Sequence, residues 1–362
     1  MQTANLGVLL NFPVSRGTPQ IWRYGVRPQG LIVRAYDLYR RRPPSDLREA
    51  IAYDDKDGVL VVDKGGLSGD VYDVDLKGGD YTVEAQSAEY GEEQHERNFQ
   101  LLSESAGRLG SRLIPVVPGS IIPEYARFVE VLERKHLSGK QFEIVALDAI
   151  RYAYKGAGAL GAHYYEDVAT FTAKAKEALG DRTLLVAGLS PASMIVASHA
   201  GAGLLSSLSW VSAANYGRLL LSTAEQFVPA DLDKAAIKQK LARCACPICK
   251  MDSRRTKSLI EYLDLKPAMA EERFRIYAED GPRGFRARCI HNSWALVEMI
   301  ETINKVTALS EGRPTASSFM AMGLHLPEPV MSGLRTVDRI RALGLRARSA
   351  QQFALSQSSA RS

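Results

Sequence analysis

The chain has 362 residues, 46% hydrophobic and 24% charged, with a formal net charge of +5 and a pI near 8.9. That composition excludes a disordered polymer and is enough for one large core, since barrel domains often use 250 residues or more as a single unit. No apolar run approaches the roughly 18–20 residues that cross a bilayer, and no basic leader with a cleavage site opens the chain, so a cytoplasmic protein without a membrane partner is expected.

Residues 1–28, rich in aromatic and basic side chains, read as an irregular lead-in. Gly30 to Val33 is the expected first strand, and Ser45 the expected cap of a short helix after Pro43 and Pro44. Gly58 to Asp63 reads as a buried strand closed by Lys64-Gly65-Gly66, and Tyr81 to Val83 as a weak one. A helix over 92–109 shows Phe99, Leu101, Leu102, Ala106 and Leu109 on one face. Leu113 to Val117 is strand-like despite Pro115, and a helix follows over 123–135.

The alternation continues with a strand from Phe142 to Leu147 that ends at Asp148. A glycine-rich loop from Gly156 to Gly161 leads to a helix over 165–179. Next come a strand from Thr183 to Ala187 ending at Gly188 and a helix begun by Pro191. Gly203 to Trp210 and Arg218 to Leu221 read as the last strands. Apolar runs alternating with helical stretches call for parallel strands with crossover helices. About eight units point to a (β/α)8 TIM barrel over 29–230, with a doubly wound open sheet as the rival. A helical, metal-binding subdomain over 231–347 and a Ser- and Gln-rich disordered tail over 348–362 complete the plan.

All four cysteines fall in one segment. Cys244, Cys246 and Cys249 lie within six residues, and Cys289 lies two before His291. Zinc takes thiolate sulfur and imidazole nitrogen in tetrahedral array, and Cys3His is a common structural set. Cys244, Cys246, Cys249 and His291 are therefore the expected zinc ligands, with Cys289 as the rival fourth. Four filled positions leave no place for a catalytic water, so the zinc is read as structural rather than as that of a barrel hydrolase. Cations cluster at Arg40 to Arg42, on both sides of the cysteines (Lys234, Lys238, Lys240, Arg243; Lys250, Arg254, Arg255, Lys257), and near the C-terminus from Arg335 to Arg348. They are solvated helix faces or the footprint of a polyanion.

The pattern C-A-C-P-I-C followed at a distance by I-H-N-S-W, after an α/β barrel, resembles the tRNA-guanine transglycosylase superfamily. Arg34 to Ser45 and the S-x-S-W at Ser207 to Trp210 look most like its DNA-acting branch. The resemblance covers roughly residues 30–310, with a longer interval between the third cysteine and the histidine than the family usually has. It implies exchange of guanine for a 7-deazaguanine base in DNA or tRNA, a structural zinc, and a homo- or hetero-oligomeric assembly.

Carried over residue by residue, the resemblance gives a mixed site. Asp63 keeps the acid of the family's aspartate-serine-glycine-glycine-phenylalanine turn and Gly65 and Gly66 its backbone, while Lys64 and Leu67 replace the other two. Ser206 stands where the family's aspartate nucleophile would be. Pro118 replaces the base-reading glutamine, and Leu147-Asp148 the glycine pair behind the base. Asp63 and Asp148 are the catalytic candidates, and Gly65, Gly66 and Gly188 the substrate-binding ones. Retaining base exchange needs one carboxylate to attack ribose C1′ and another group to move the base proton. Two readings follow: a divergent base-exchange enzyme, or a non-catalytic homologue that binds nucleic acid or a partner subunit.

Overall fold

The computed structural model describes residues 6–15, 17–39, 46–65, 78–84, 92–118, 122–148, 163–228, 234–250, 272–310 and 314–359. Its centre is a nearly closed, barrel-like sheet of nine parallel strands. They are β1 (Gly7–Asn11), β2 (Gly30–Arg34), β3 (Val59–Asp63), β4 (Tyr81–Val83), β5 (Leu113–Ile114), β6 (Val116–Pro118), β7 (Ile144–Asp148), β8 (Thr183–Val186) and β9 (Leu204–Ser207). The order is β5-β4-β3-β2-β1-β9-β8-β7-β6. The sheet's two ends, β5 and β6, are separated in the chain only by Pro115. Proline has no N–H to give a ladder, yet the Pro115 carbonyl still accepts from Ala146 N at 2.8 Å.

Parallel strands buried on both faces read as continuous apolar runs, and alternate residues go to opposite sides. Leu9, Ile32, Val61, Val83, Ile114, Val116, Ala146 and Leu185 form one buried cluster, the filling of the ring. The alternate set, including Leu10, Leu31, Val33, Val62, Val117, Val145, Val186 and Leu205, packs into the outer core with the helices.

Those helices include α1 (Glu92–Leu109), α2 (Ile122–His136), α3 (Tyr164–Leu179), α4 (Pro191–His199) and α5 (Ser209–Asn215). In α2 the buried residues Ile122, Tyr125, Ala126, Val129 and Leu132 recur at the three- and four-residue spacing of one face. Ser190 caps α4, accepting from Ser193 N, with Pro191 in the first turn. After β9 come a hairpin of β10 (Leu219–Leu220) and β11 (Gln226–Phe227), α6 (Ala235–Arg243), α7 (Pro247–Lys250), α8 (Pro282–Leu309) and α9 (Glu328–Ser359). Helix α9 lies against α3 and α4. A Cβ at Gly333 would come within 2.9 Å of the Tyr165 backbone oxygen, so only glycine allows this approach. His199 Nε2 meets Asp338 at 2.8 Å across the same seam.

Four expectations change. Residues 1–28 are no irregular lead-in, because β1 sits at the middle of the sheet, between β2 and β9. The pair around Leu219 and Leu220 is antiparallel and lies in a separate sheet. The short helix Leu47–Ala50 is capped by Asp46, not Ser45. Helix α9 continues to Ser359, through most of the expected disordered tail. The Arg40 to Arg42 cluster, Gly66, the loop from Gly156 to Gly161 and the basic residues from Arg254 to Lys257 lie outside the described residues. Among the described residues, no helix is long and apolar enough to cross a membrane.

Candidate metal centre and barrel mouth

Helix α6 ends at Cys244, whose extended backbone turns the chain toward Cys246. The turn is closed by its own sulfurs: Cys246 N donates to Cys244 Sγ at 3.4 Å and Cys249 N to Cys246 Sγ at 3.3 Å. His291 comes from the middle of α8 and is fully buried. Its Nε2 lies 2.9 Å from the Leu220 carbonyl, which can only accept, so Nε2 carries the proton. Nδ1 is thereby left as a lone pair aimed at the thiols, 3.8, 3.3 and 3.7 Å from the sulfurs of Cys244, Cys246 and Cys249.

The four ligand atoms lie within 4.8 Å of one another. Tetrahedral zinc, with Zn–S near 2.3 Å and Zn–N near 2.0–2.1 Å, requires S···N edges of about 3.5 Å. The donor set and its spacing therefore fit a four-coordinate metal. Cys289 is not in the group. Two residues before His291 on a helix, it lies about 200° around the axis, where burial pushes its thiol well above the ordinary range.

Three further side chains build this centre, and of these only Asn292, in the I-H-N-S-W pattern, stands out in the sequence. Tyr277 is fully buried, with its hydroxyl 3.2 Å from Cys249 Sγ, 3.7 Å from Cys246 Sγ and 3.3 Å from His291 Nδ1. Burial first, then the thiolate charges, hold its ionisation well above the usual phenol range. It stays protonated and can donate to a ligand thiolate. Arg288, one turn before His291 on α8, donates to the carbonyls of Ala214, Tyr277 and Glu279 and so fixes the backbone that carries the phenol. Asn292 accepts from Leu220 N at 2.8 Å and donates to the carbonyls of Trp210 and Arg218. The H-N pair thus joins α8 to the segment leaving the barrel. Leu6 and Asn304 add a two-way bond between the residue just before β1 and the far end of α8. Nothing in the local spacing of the sequence marks Arg288 or Tyr277 as part of this centre. Outer-shell partners of metal ligands typically matter 10–100-fold in affinity, so Tyr277→Phe is expected to weaken metal binding by about that factor. Competition with a calibrated chelator measures it, and unchanged affinity would remove the donor role.

At the C-terminal ends of the strands the expected site residues are only partly gathered. Asp63 is buried at the end of β3, in register with Arg34 of β2 and Val83 of β4. One carboxylate oxygen accepts from Gly65 N at 2.9 Å, and Gly65 takes φ +123°, a conformation that suits glycine. Lys64, the residue after Asp63, is also buried. Its ammonium is buried 3.7 Å from Glu84, whose other oxygen accepts from Arg108 of α1 at 3.0 Å. Lys64 is thus part of the packing between sheet and helix. Arg34 is engaged by Asp37 at 2.9 Å.

Ser206 is fully buried on β9, in register with Leu9, and its Oγ accepts from Gly188 N at 3.3 Å. Ser207 and Ser209 donate to the Leu189 carbonyl at 2.6 and 3.2 Å. Trp210 is core: it stacks on Phe12 and donates to the Asn11 carbonyl at 3.0 Å. The Asn11 side-chain oxygen is buried with no hydrogen-bond partner among the described residues. Asp148 ends β7 in register with Pro118. In the sheet, Asp63 and Ser206 stand three strands apart, and Ser206 and Asp148 two. Compared with known proteins, the chain matches no family model and no curated protein.

Proposed function

We propose that this chain is a zinc-clamped (β/α)8 barrel of the tRNA-guanine transglycosylase kind that binds guanine-bearing nucleic acid, DNA or tRNA, without forming the covalent ribose intermediate. Counting β5, Pro115 and β6 as one bent strand makes eight, the number that reading requires. The Cys3His set supports zinc held for structure. The exposed Lys238 and Arg243 on α6, beside the candidate metal ligands, support a phosphate-bearing partner, while Lys240 there is already paired with Glu225 at 2.6 Å.

The observation that carries the non-catalytic side is Ser206. Covalent base exchange needs a carboxylate at that place, and a serine there needs a base to activate it. Ser206 is instead sealed in the core and tied to a backbone amide. Among the described residues, no histidine or carboxylate is hydrogen-bonded to it. Asp63, buried at a strand end beside a glycine turn, favours the second reading, an enzyme that exchanges guanine for a 7-deazaguanine base with Asp63 moving the base proton and Asp148 as the other acid.

The test uses the purified full chain with guanine-containing DNA or tRNA and radiolabelled guanine. Salt-sensitive binding is expected, with no adduct on a denaturing gel and no exchange. Exchange by the natural chain that is lost in Asp63→Ala overturns the binding reading in favour of the enzyme. Absence of nucleic-acid binding together with absence of zinc removes the kinship altogether.

A further inference from the structure

The four candidate metal ligands are not equally reachable. Cys246, Cys249 and His291 are buried, and Cys244 alone keeps partial exposure. The sulfurs of Cys246 and Cys249 meet the fully buried Tyr277 hydroxyl at 3.7 and 3.2 Å. Cys244 and His291 instead line a cleft of about 320 Å³ where the β10–β11 hairpin, the end of α6 and one face of α8 come together. A metal site needs an entry path as well as ligands, and this cleft reaches two of the four.

The cleft wall carries a carboxylate in line with the ligands. His291, Ala295 and Glu298 follow one another on α8 at spacings of four and three, so they share one face of the helix, and all three line the cleft. Alanine between the other two leaves the way from Glu298 to His291 clear of a long side chain. Glu298 is half-buried and hydrogen-bonded to Ser222 of the hairpin. It stands outside the group formed by the three thiols and the imidazole, whose four positions are filled without it. A second negative charge beside a thiolate is unfavourable by itself, and a passing cation is what gives it a use. Carboxylate oxygen suits a hard, hydrated divalent cation, whereas thiolate and imidazole hold zinc once its water is gone. The cleft's other acid, Glu225, is already occupied: both of its oxygens accept from Lys240, and one accepts from Thr223. The exposed Arg243 lies at the same cleft and sets a positive charge against any cation that enters.

We infer that this cleft is the loading port of the metal centre, with Glu298 as the transit ligand that takes a hydrated divalent cation and passes it to Cys244. This role rests on the Cys3His metal reading and is independent of the nucleic-acid one. Glu298 meets the ion only in passing. It therefore sets how fast metal enters and leaves, and not how tightly the metal is finally held.

The experiment is stopped-flow mixing of the reduced, metal-free full chain with zinc and a zinc indicator dye, paired with release of zinc from the loaded chain to excess chelator. Glu298→Gln keeps an acceptor for Ser222 and removes the charge. It is expected to slow loading and release alike by about tenfold, the low end of what charge focusing in a cleft gives, while equilibrium affinity stays within about twofold. Arg243→Gln removes the opposing charge from an exposed position and is expected to speed loading by about threefold. Zinc content by metal analysis and the thermal midpoint of the loaded chain should stay unchanged in Glu298→Gln. Loading by Glu298→Gln at the natural rate overturns the port. So does release that quickens in step with lost affinity, because Glu298 then supports the bound metal instead of its passage. Arg243→Gln that fails to speed loading places the route elsewhere and overturns it too. A natural chain that takes up no stoichiometric zinc removes the metal reading and the port together. Stoichiometric zinc with unchanged rates in Glu298→Gln removes the port alone.

Discussion

Removing the metal is expected to release the helical cap and leave the barrel ring folded. Structural zinc is worth about 10–16 kcal/mol of binding in small zinc-folded peptides, so in such sites metal affinity becomes folding energy. Here the coupling is confined by topology. Cys244, Cys246 and Cys249 are carried by α6, α7 and the turn between them, and little else ties those helices down: of α6, only Leu241 is fully buried. Helix α8 has its own anchors in Arg288, Asn292 and Asn304. Chelation should therefore free α6 and α7 first and split thermal unfolding into two steps. The site is accessible, since Cys244 and His291 also line a cleft of about 320 Å³. Cys249→Ala and His291→Ala should each reproduce the split without chelator, and Cys289→Ala should leave metal content untouched. Differential scanning calorimetry with metal analysis reads all of these. A single transition at an unchanged midpoint after complete metal removal would show that the thiols are merely buried, and the proposed kinship would lose its strongest support.

The sequence reveals the Cys3His cluster better than the barrel mouth, and the reason is physical. Three thiols in six residues have few structural uses besides a metal, and a histidine at the start of a strong helical run can be recognised as the fourth ligand. Strands are harder. Gly7 to Asn11 has the apolar run of a buried strand, but the aromatic, basic and proline-rich stretch behind it masks the pattern. The expected total of about eight strands is reached only by exchanging this one for the pair around Leu219, which has the composition of a strand and none of the barrel's register. Lys64 looks like a replaced site residue, yet its ammonium is drawn to Glu84, whose other oxygen is held by Arg108. That pairing is with a residue 20 positions downstream, itself fixed by a helix some 40 residues away, and leaves no trace in local spacing. Tyr277 is hidden for the same reason: a tyrosine 14 residues before the histidine signals nothing until the fold brings its hydroxyl to the sulfurs.

Glu133→Ala is expected to cost the barrel about 3–5 kcal/mol, the usual penalty for stranding one member of a buried ion pair. Glu133 and Arg182 are 4% and 7% exposed, between the last turn of α2 and the start of β8. Arg182 Nε donates to Glu133 Oε1 at 2.7 Å and Nη2 to the other oxygen, a two-pronged contact of the strong kind. The same carboxylate accepts from Phe142 N at 2.9 Å, just before β7, while Arg182 Nη1 caps α3 at the Leu179 carbonyl at 2.7 Å. One pair thus holds two strands and two helices at the N-terminal end of the barrel, the end where such contacts serve stability rather than chemistry. Alanine at 133 leaves a buried guanidinium without its carboxylate and an amide without its acceptor. Glutamine keeps the Phe142 bond and should cost less. Replacing both partners with leucine should cost least, because the desolvation penalty disappears together with the attraction. Urea unfolding midpoints of the four proteins rank these costs. If Glu133→Ala and the double variant lose the same stability, the pair has no special role and the two strands are held by apolar packing alone.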